Sequence, residues 1–496
     1  MSLDAALPLL ILLTSALPGL AIFFLGEERH LARVTLNLAG AVAKVALLGV
    51  VLWGVFHGHA YETRLPFLPG LDFVLRVDAP ALLFGALSGV LWLLTTVYAV
   101  AYLEHSPHRS RFFGFFSLCV TASMGVALAG NLVTFLVFYE FLTLTTWPLV
   151  VHRGTPQALA GGRVYLAYTL GGSALLLAGV AWLHALAGPV EFTERGALAA
   201  VAGQAPELRA VFALLAAGLG VKAALVPLHG WLPRAMVAPA PVSALLHAVA
   251  VVKAGAFGLV RLVYDVFGIE FGERLGVLAP LAAVAAVTIV WGSLRAVFQD
   301  DLKKRLAYST VSQVSYIVLG TAVIGELSTV GGLVHLVHQG LMKITLFFCA
   351  GNLAETLGVH KVSEMGGAGK RMPLTMAAFT VGALGMMGLP PLAGFVSKWY
   401  LGVGALQAGQ GWVIWVLAAS TLLNAAYFLP ILRAAWFEPA PAAWPHEESF
   451  RHETALGLLV PPLVTALLVI AAGLFAGSDF SPLAWARLIV AREYAH

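Results

Sequence analysis

Charge is what this 496-residue chain has least of: Asp, Glu, Lys and Arg make up 11% of it, against about a quarter in a soluble globular protein. That scarcity excludes an ordinary soluble enzyme. Cysteine is nearly missing too. Cys119 and Cys349 lie in separate apolar stretches without metal-ligand spacing, which excludes a disulfide framework and a zinc site. No basic tail or stripe accompanies the net charge of +4, so nucleic acid is not an expected partner. Nucleotide loops, redox centres and cofactor motifs are absent as well, and neither a cofactor nor a metal is expected. What remains is 60% hydrophobic, with 51 Gly, 25 Pro and 12 Trp and a mean hydropathy of +0.88. That is the composition of a polytopic helical membrane protein.

A span needs about 20 mostly apolar residues, because a helix rises about 1.5 Å per residue and the hydrocarbon slab is about 30 Å thick. The apolar runs predict an all-α chain with about 14 transmembrane helices: 7–25, 31–56, 80–102, 112–129, 132–151, 164–186, 208–228, 242–263, 275–297, 306–324, 330–349, 374–406, 412–436 and 455–475. The first has only Asp4 ahead of it and no basic residue, so it reads as a retained span rather than a signal peptide. No loop is long enough for a soluble domain. The chain reads as a single transmembrane domain, 1–496: helices 1–3 in 1–110, a first repeat in 111–264, a second in 275–437, and a last helix with a short tail in 455–496. With both termini outside, the inner loops hold sixteen Lys and Arg, from Arg29 to Arg451, against eight outside. The positive-inside rule favours that orientation.

Five basic residues fall well inside spans, away from the span ends: Lys44, Lys222, Lys253, Lys343 and Lys398. All are lysines, in a chain with 20 Arg and nine Lys. Desolvation can strip a proton from an ammonium, whereas a guanidinium stays charged. A lysine bias at membrane depth therefore suits a proton carrier. Glu140 is the one acid read as lying deep in a span, while Asp78 and Glu104 bracket the third helix. A buried charge costs about 2.5–3.5 kcal/mol at mid-helix on insertion scales, so most of these lysines must face a hydrated or paired interior. Lys44, alone in the second span without polar neighbours, has a snorkelling or statically paired side chain as an equal alternative. Histidines follow the same regions. His229 comes seven residues after Lys222, His247 shares a span with Lys253, and His335 and His338 lie three apart near Lys343. Imidazoles relay protons readily, and a packing hydrogen bond is the plainer alternative for each.

Proline interrupts two spans, the seventh at Pro227 and Pro233 and the twelfth at Pro390 and Pro391. Broken backbone at membrane depth survives only where it is buried in protein or lines a wet cavity. Pro227, Leu228, His229, Gly230 and Trp231 echo Pro391, Leu392, Ala393, Gly394 and Phe395. Five spans separate the two breaks, and five is odd. Spans 4–8 and 9–13 are thus expected to form two inverted five-helix repeats, with helices 7 and 12 broken.

The stretches NLVTFLVFYEFLTL, KAALVPLHGWLPRAM, APAPVSALLHAVAVVKAG, DDLKKRLAYSTVSQVSYI, HLVHQGLMKITLFF and GLPPLAGFVSKWYL run in order from Asn131 to Leu401. In them the chain resembles the antiporter-like subunits shared by Mrp-type cation/proton antiporters, respiratory complex I and membrane-bound hydrogenases. The resemblance implies that Glu140 pairs with Lys222, that Lys253 continues a hydrophilic axis at mid-membrane, and that His335 and His338 link it to the twelfth helix. A lysine at Lys398 is similar to the D-type chains of Mrp antiporters. The stretch around His247 looks more like the larger A-type and complex I L-type chains.

The expected function is proton translocation within a multisubunit complex of the prokaryotic inner membrane. A cation/proton antiporter comes first. Glu140 stabilises the ammonium of Lys222, and displacing that pairing sends the proton through His247 to Lys253, then by His335, His338 and Lys343 to Lys398. The alternatives are a redox-driven pump, or an inorganic-carbon uptake complex in which the chain mainly couples or anchors a catalytic partner. Expected partners are other membrane subunits, the lipid bilayer, protons and, for an antiporter, sodium or potassium.

Overall fold

The computed structural model describes residues 3–104, 106–201, 203–447 and 452–494. Arg451 and the last two residues of the expected tail lie outside them. The chain begins with α1 (Leu3–Phe23), α2 (His30–Phe56), strands β1 (Tyr61–Leu68) and β2 (Leu71–Val77), α3 (Ala79–Tyr102), α4 (Arg109–Leu128), α5 (Leu132–Val150) and α6 (Pro156–Ala187). Next come α7 (Ala205–Lys222), a short α8 (Trp231–Arg234), α9 (Ala240–Ala248), α10 (Val251–Arg261), the brief α11 (Ile269–Leu275), α12 (Leu278–Val297) and α13 (Leu302–Ala322). The remainder comprises α14 (Glu326–Leu357), a single turn α15 (Ala368–Arg371), α16 (Pro373–Met387), α17 (Ala393–Gln407), α18 (Trp412–Phe437), α19 (Leu456–Leu474) and α20 (Pro482–Glu493). Among the described residues, eleven helices are long and apolar enough to cross a membrane, with α9 and α10 counted together.

Local chemistry sets the boundaries. Asp78, Asn131, Thr155, Asp301 and Ser481 each accept a backbone N–H of the first turn, at 2.8–3.1 Å. Such caps satisfy donors that a helix start leaves orphaned. Pro80, Pro156, Pro206, Pro373 and Pro482 occupy first-turn positions, where a missing N–H costs nothing.

Four features depart from the expectation. The segment between α2 and α3 is an antiparallel hairpin, not a plain loop, with Tyr61 opposite Val77 and Gly70 at φ +76° in the turn. The tail carries α20, whose Trp485 Nε1 donates to the Ala79 carbonyl at 2.8 Å. The eighth expected span is itself interrupted at Val249 and Ala250, between α9 and α10. It also runs past Val263 as a π-helical turn that buries Asp265 close to the end of that span.

The hairpin is clamped by charge. Glu191, just after α6, accepts from Arg64 Nη1 and Arg76 Nη2 at 2.7 Å each, and Glu62 accepts from Arg76 Nε at 2.6 Å. These arginines hold the Glu191 carboxyl below its ordinary value, Arg64 contributing most. Its value in the folded protein thus lies below that of the unfolded chain, which is about 4.3 for a free glutamate. The clamp's contribution is complete above that range and is lost as pH falls through the lowered value. Hydrogen-exchange protection of residues 61–77 is expected to drop on acidification below that range. Glu191→Gln should show weak protection that hardly changes across it.

Candidate functional site

α14 lies at the centre, and its most apolar stretch is wholly buried. His335, Gln339 and Lys343 recur every four residues along it, so they form one stripe about 12 Å long, with His338 beside it. From this helix the other candidates can be located by their bonds. Lys253 of α10 donates from Nζ to the Leu336 carbonyl at 2.7 Å. Lys343 turns the other way, to the Leu306 carbonyl of α13 at 3.1 Å and to Ser309 Oγ. His335 Nδ1 is 2.8 Å from Ser397 Oγ, the neighbour of Lys398 on α17. Tyr316 of α13 joins the two sides, its ring centroid 5.1 Å from that of His335 and 5.5 Å from Lys398 Nζ.

Both breaks end a helix on an ammonium. Lys222 is the last residue of α7, and its Nζ donates to the Tyr139 carbonyl while lying 3.3 Å from that tyrosine's ring centroid. Lys398 follows its own break but reaches back across it, donating to the Met386 and Met387 carbonyls at 3.0 and 2.9 Å. Those carbonyls close α16. The two lysines precede and follow their prolines respectively, yet both set positive charge at a helix C-terminus, where the helix dipole favours it. Trp231 Nε1 donates to the Val221 carbonyl at 2.7 Å, and Asn424 Nδ2 to the Met386 carbonyl at 3.1 Å. The broken backbone is therefore bonded inside protein. Gly255 of α10 allows the first break its position: a Cβ there would collide with the Ala223 nitrogen.

Glu140 is half-buried on α5, and its Oε1 has no protein partner. Lys222 is bonded to Tyr139, the residue next to it in sequence, and among the described residues no ion pair within 4.0 Å joins Lys222 to Glu140. His229 lies in the first break with Nδ1 unpartnered. His247 is buried at the end of α9, stacked on Phe347 at 4.5 Å, with both ring nitrogens unpartnered. Gln339, Gln313, Tyr316 and His338 also carry buried polar atoms without a protein partner. Buried polar groups are nearly always hydrogen-bonded, and water is the partner that suits polar sites of this kind.

Sequence reasoning missed Tyr139, Ser309, Gln313, Tyr316, Gln339 and Ser397. A signal for four of them existed. Gln339 falls midway between His335 and Lys343, and Ser309, Gln313 and Tyr316 follow one another at four and three residues, along one face of α13. Lys44 was misjudged differently. It does not snorkel, because its Nζ donates to Ser15 Oγ of α1 at 2.7 Å from wholly buried surroundings.

A membrane-spanning bundle with ammonium and imidazole groups around one buried helix, and two helices broken beside them, defines a class: an ion-translocating membrane protein. Residues 129–424 match the family model described as NADH:quinone oxidoreductase/Mrp antiporter, TM, and the chain belongs to that family. It is 35% identical to the NADH-quinone oxidoreductase subunit N of Desulforudis audaxviator, over 95% of this chain and 96% of that one. It is 28% identical to the D-type chain of the Na(+)/H(+) antiporter of Bacillus subtilis, over 94% and 93%. Its fold matches a chain of the Mrp complex from Dietzia sp. with a TM-score of 0.86 and 24% identity, covering 100% and 98%.

Proposed function

We propose that the chain is a proton-translocating subunit of a multisubunit membrane complex, first a cation/proton antiporter, and that H⁺ moves along Glu140, Lys222, His229, His247, Lys253, His335, His338, Lys343 and Lys398. One observation carries this reading. Lys222, Lys253, Lys343 and Lys398 are all held by carbonyl or hydroxyl oxygens, and none is in an ion pair with a carboxylate among the described residues. A carboxylate at contact distance would lock an ammonium by about 4 kcal/mol at an effective dielectric of 20. Carbonyl partners hold the amine in position and leave its proton free to move.

The finer architecture belongs to the same proposal. α7, α13 and the pair α16 and α17 join the eleven long apolar helices to make fourteen crossings. Spans 4–8 and 9–13 form the inverted repeats, with helices 7 and 12 broken. The termini lie on the outer side of a prokaryotic inner membrane, and the partners are other membrane subunits. Each repeat then supplies one half-channel. Lys222 and Lys253 serve the first, Lys343 and Lys398 the second, and the α14 stripe with Tyr316 bridges them.

A second reading, a redox-driven proton pump, is favoured by the 35% identity to a quinone oxidoreductase chain, which exceeds that to the antiporter chain. One purification separates the two. The complex is isolated from native membranes, its co-migrating subunits are identified, and proton movement is recorded in proteoliposomes. Small antiporter subunits, with H⁺ flux driven by added Na⁺ or K⁺, are the expected result. Redox subunits, with flux driven by a reductant and a quinone, would establish the second reading. Absence of H⁺ movement under either drive would refute both.

A further inference from the structure

We propose that Lys44 is a separate proton-loading site, reached from the Glu27 end of the bundle through the hydroxyls of α1 and α4. The proposal rests on the reading of the chain as a proton carrier and adds a residue outside the central line.

Lys44 lies where α1, α2, α3 and α4 meet, with no exposed surface. Its Nζ is 2.7 Å from Ser15 Oγ and 5.3 Å from the Trp92 ring centroid. Ser15 Oγ is in turn 2.7 Å from Thr121 Oγ1 on α4. Ser117, one turn before Thr121, donates to Asn37 Oδ1 at 2.8 Å, and Asn37 Nδ2 donates to the Arg33 carbonyl at 3.0 Å. Arg33, itself buried, donates to Ser110 Oγ at 2.8 Å. This line of polar groups ends where the Glu27 carboxylate accepts the N–H groups of Arg109 and Ser110 at 2.9 and 3.0 Å. From Arg33 to Lys44 is eleven residues, about 16 Å along a helix.

Three features argue against a packing role. First, the ionisable groups on these four helices are Asp4, His30, Arg33, Tyr98, Tyr102, Arg109, Arg111 and Cys119. Asp4 is the one carboxylate among them, and no ion pair joins it to Lys44 within the described residues. A permanent charge buried without a counter-ion is among the costliest arrangements a protein can hold, and a lysine can escape it by releasing its proton. Second, packing alone would be served by Met or Leu, yet the amine is met by the Ser15 hydroxyl, which is itself linked to that of Thr121. Third, Ser88 Oγ and Trp92 Nε1, one turn apart on α3, are buried without protein partners. α3 is also the helix between Lys44 and α14, where Leu87 abuts Gly340.

In the unloading step an N–H bond of the Lys44 ammonium breaks, and the proton passes to Ser15 Oγ as Ser15's own hydroxyl proton moves to Thr121 Oγ1. The proton that Thr121 gives up passes to water near Ser117, leaving a neutral amine. The reverse order reloads it.

The test uses the assembled complex in proteoliposomes, with Lys44→Met, Lys44→Arg, Lys44→His and the pair Ser15→Ala with Thr121→Val. Met and Arg are expected to lower proton flux by at least about tenfold, Arg because it holds its proton permanently. The hydroxyl pair should fall similarly. His is expected to recover part of the flux, because an imidazole, unlike a guanidinium, takes up and releases its proton. Wild-type flux in Lys44→Arg would mean that a fixed charge suffices, and wild-type flux in Lys44→Met that the site is filler. Either overturns the proposal. Lys222→Ala measured in parallel keeps the two readings apart: full flux there would remove the central line while leaving the contrast among Arg, Met and His intact.

Discussion

Replacing Lys222 by Ala is expected to cut proton flux by roughly 10²-fold or more, since a positioned proton-transfer group contributes about 10²–10⁴-fold. The complex should remain assembled. Lys222 ends α7 against the Tyr139 carbonyl, and the break behind it is held independently by Trp231 and by Val226, whose N–H donates to Thr288 Oγ1 at 3.0 Å. Truncation therefore removes the amine without removing the bonds that fix the break. Lys222→Arg keeps the charge but not the exchangeable proton, and it is expected to be nearly as slow. Flux in proteoliposomes and subunit recovery on purification read the two effects separately. Full flux in either variant would take Lys222 out of the path.

The largest stability effect is expected at Arg261. Its guanidinium is 1% exposed and grips Asp78 with both nitrogens, Nη1 to Oδ2 at 2.8 Å and Nη2 to Oδ1 at 2.6 Å. Asp265 accepts from Nη1 at 3.0 Å. Arg261→Ala leaves two carboxylates facing each other in a largely buried site, and breaking such a pair costs about 3–5 kcal/mol. The midpoint of thermal unfolding of the purified complex should fall accordingly. Arg261→Met combined with Asp265→Asn is expected to recover part of that loss, because it removes one of the two facing carboxylates while Asp78, which keeps its charge, is 24% exposed. An equal loss in the double variant would mean that the triad is not what holds α3 to α10.

Hydropathy and proline made much of the scaffold legible in the sequence. Among the described residues the eleven long apolar helices each coincide with an expected span, although α6 begins eight residues earlier and α14 ends eight later. The breaks hold Pro227, Pro390 and Pro391, while Pro233 lies within α8. The hairpin was hidden because β1 and β2, with Glu62, Arg64, Asp72 and Arg76, are too short and too charged to read as a span, although Pro69 and Gly70 mark a turn between alternating residues. The interruption at Val249 was invisible for a different reason. No proline or glycine sits there, and the bend is stabilised through space by Ser123, whose Oγ donates to the Val249 carbonyl at 3.3 Å. The lysines of the site could be read because an ammonium in an apolar run needs a reason. Their partners could not, because those are main-chain carbonyls, and every residue has one. Arg33 and Arg261 looked like loop charges for want of any sign that Ser110, Asp78 and Asp265 would cover them.

A helix such as α14, which touches protein on every side, also bears on how the chain is held in a membrane. It carries two imidazoles, two amides and an ammonium, and nowhere does it offer the lipid a continuous greasy face. Along its apolar stretch it meets helices rather than lipid, so its seat in the bilayer depends on the neighbours that surround it.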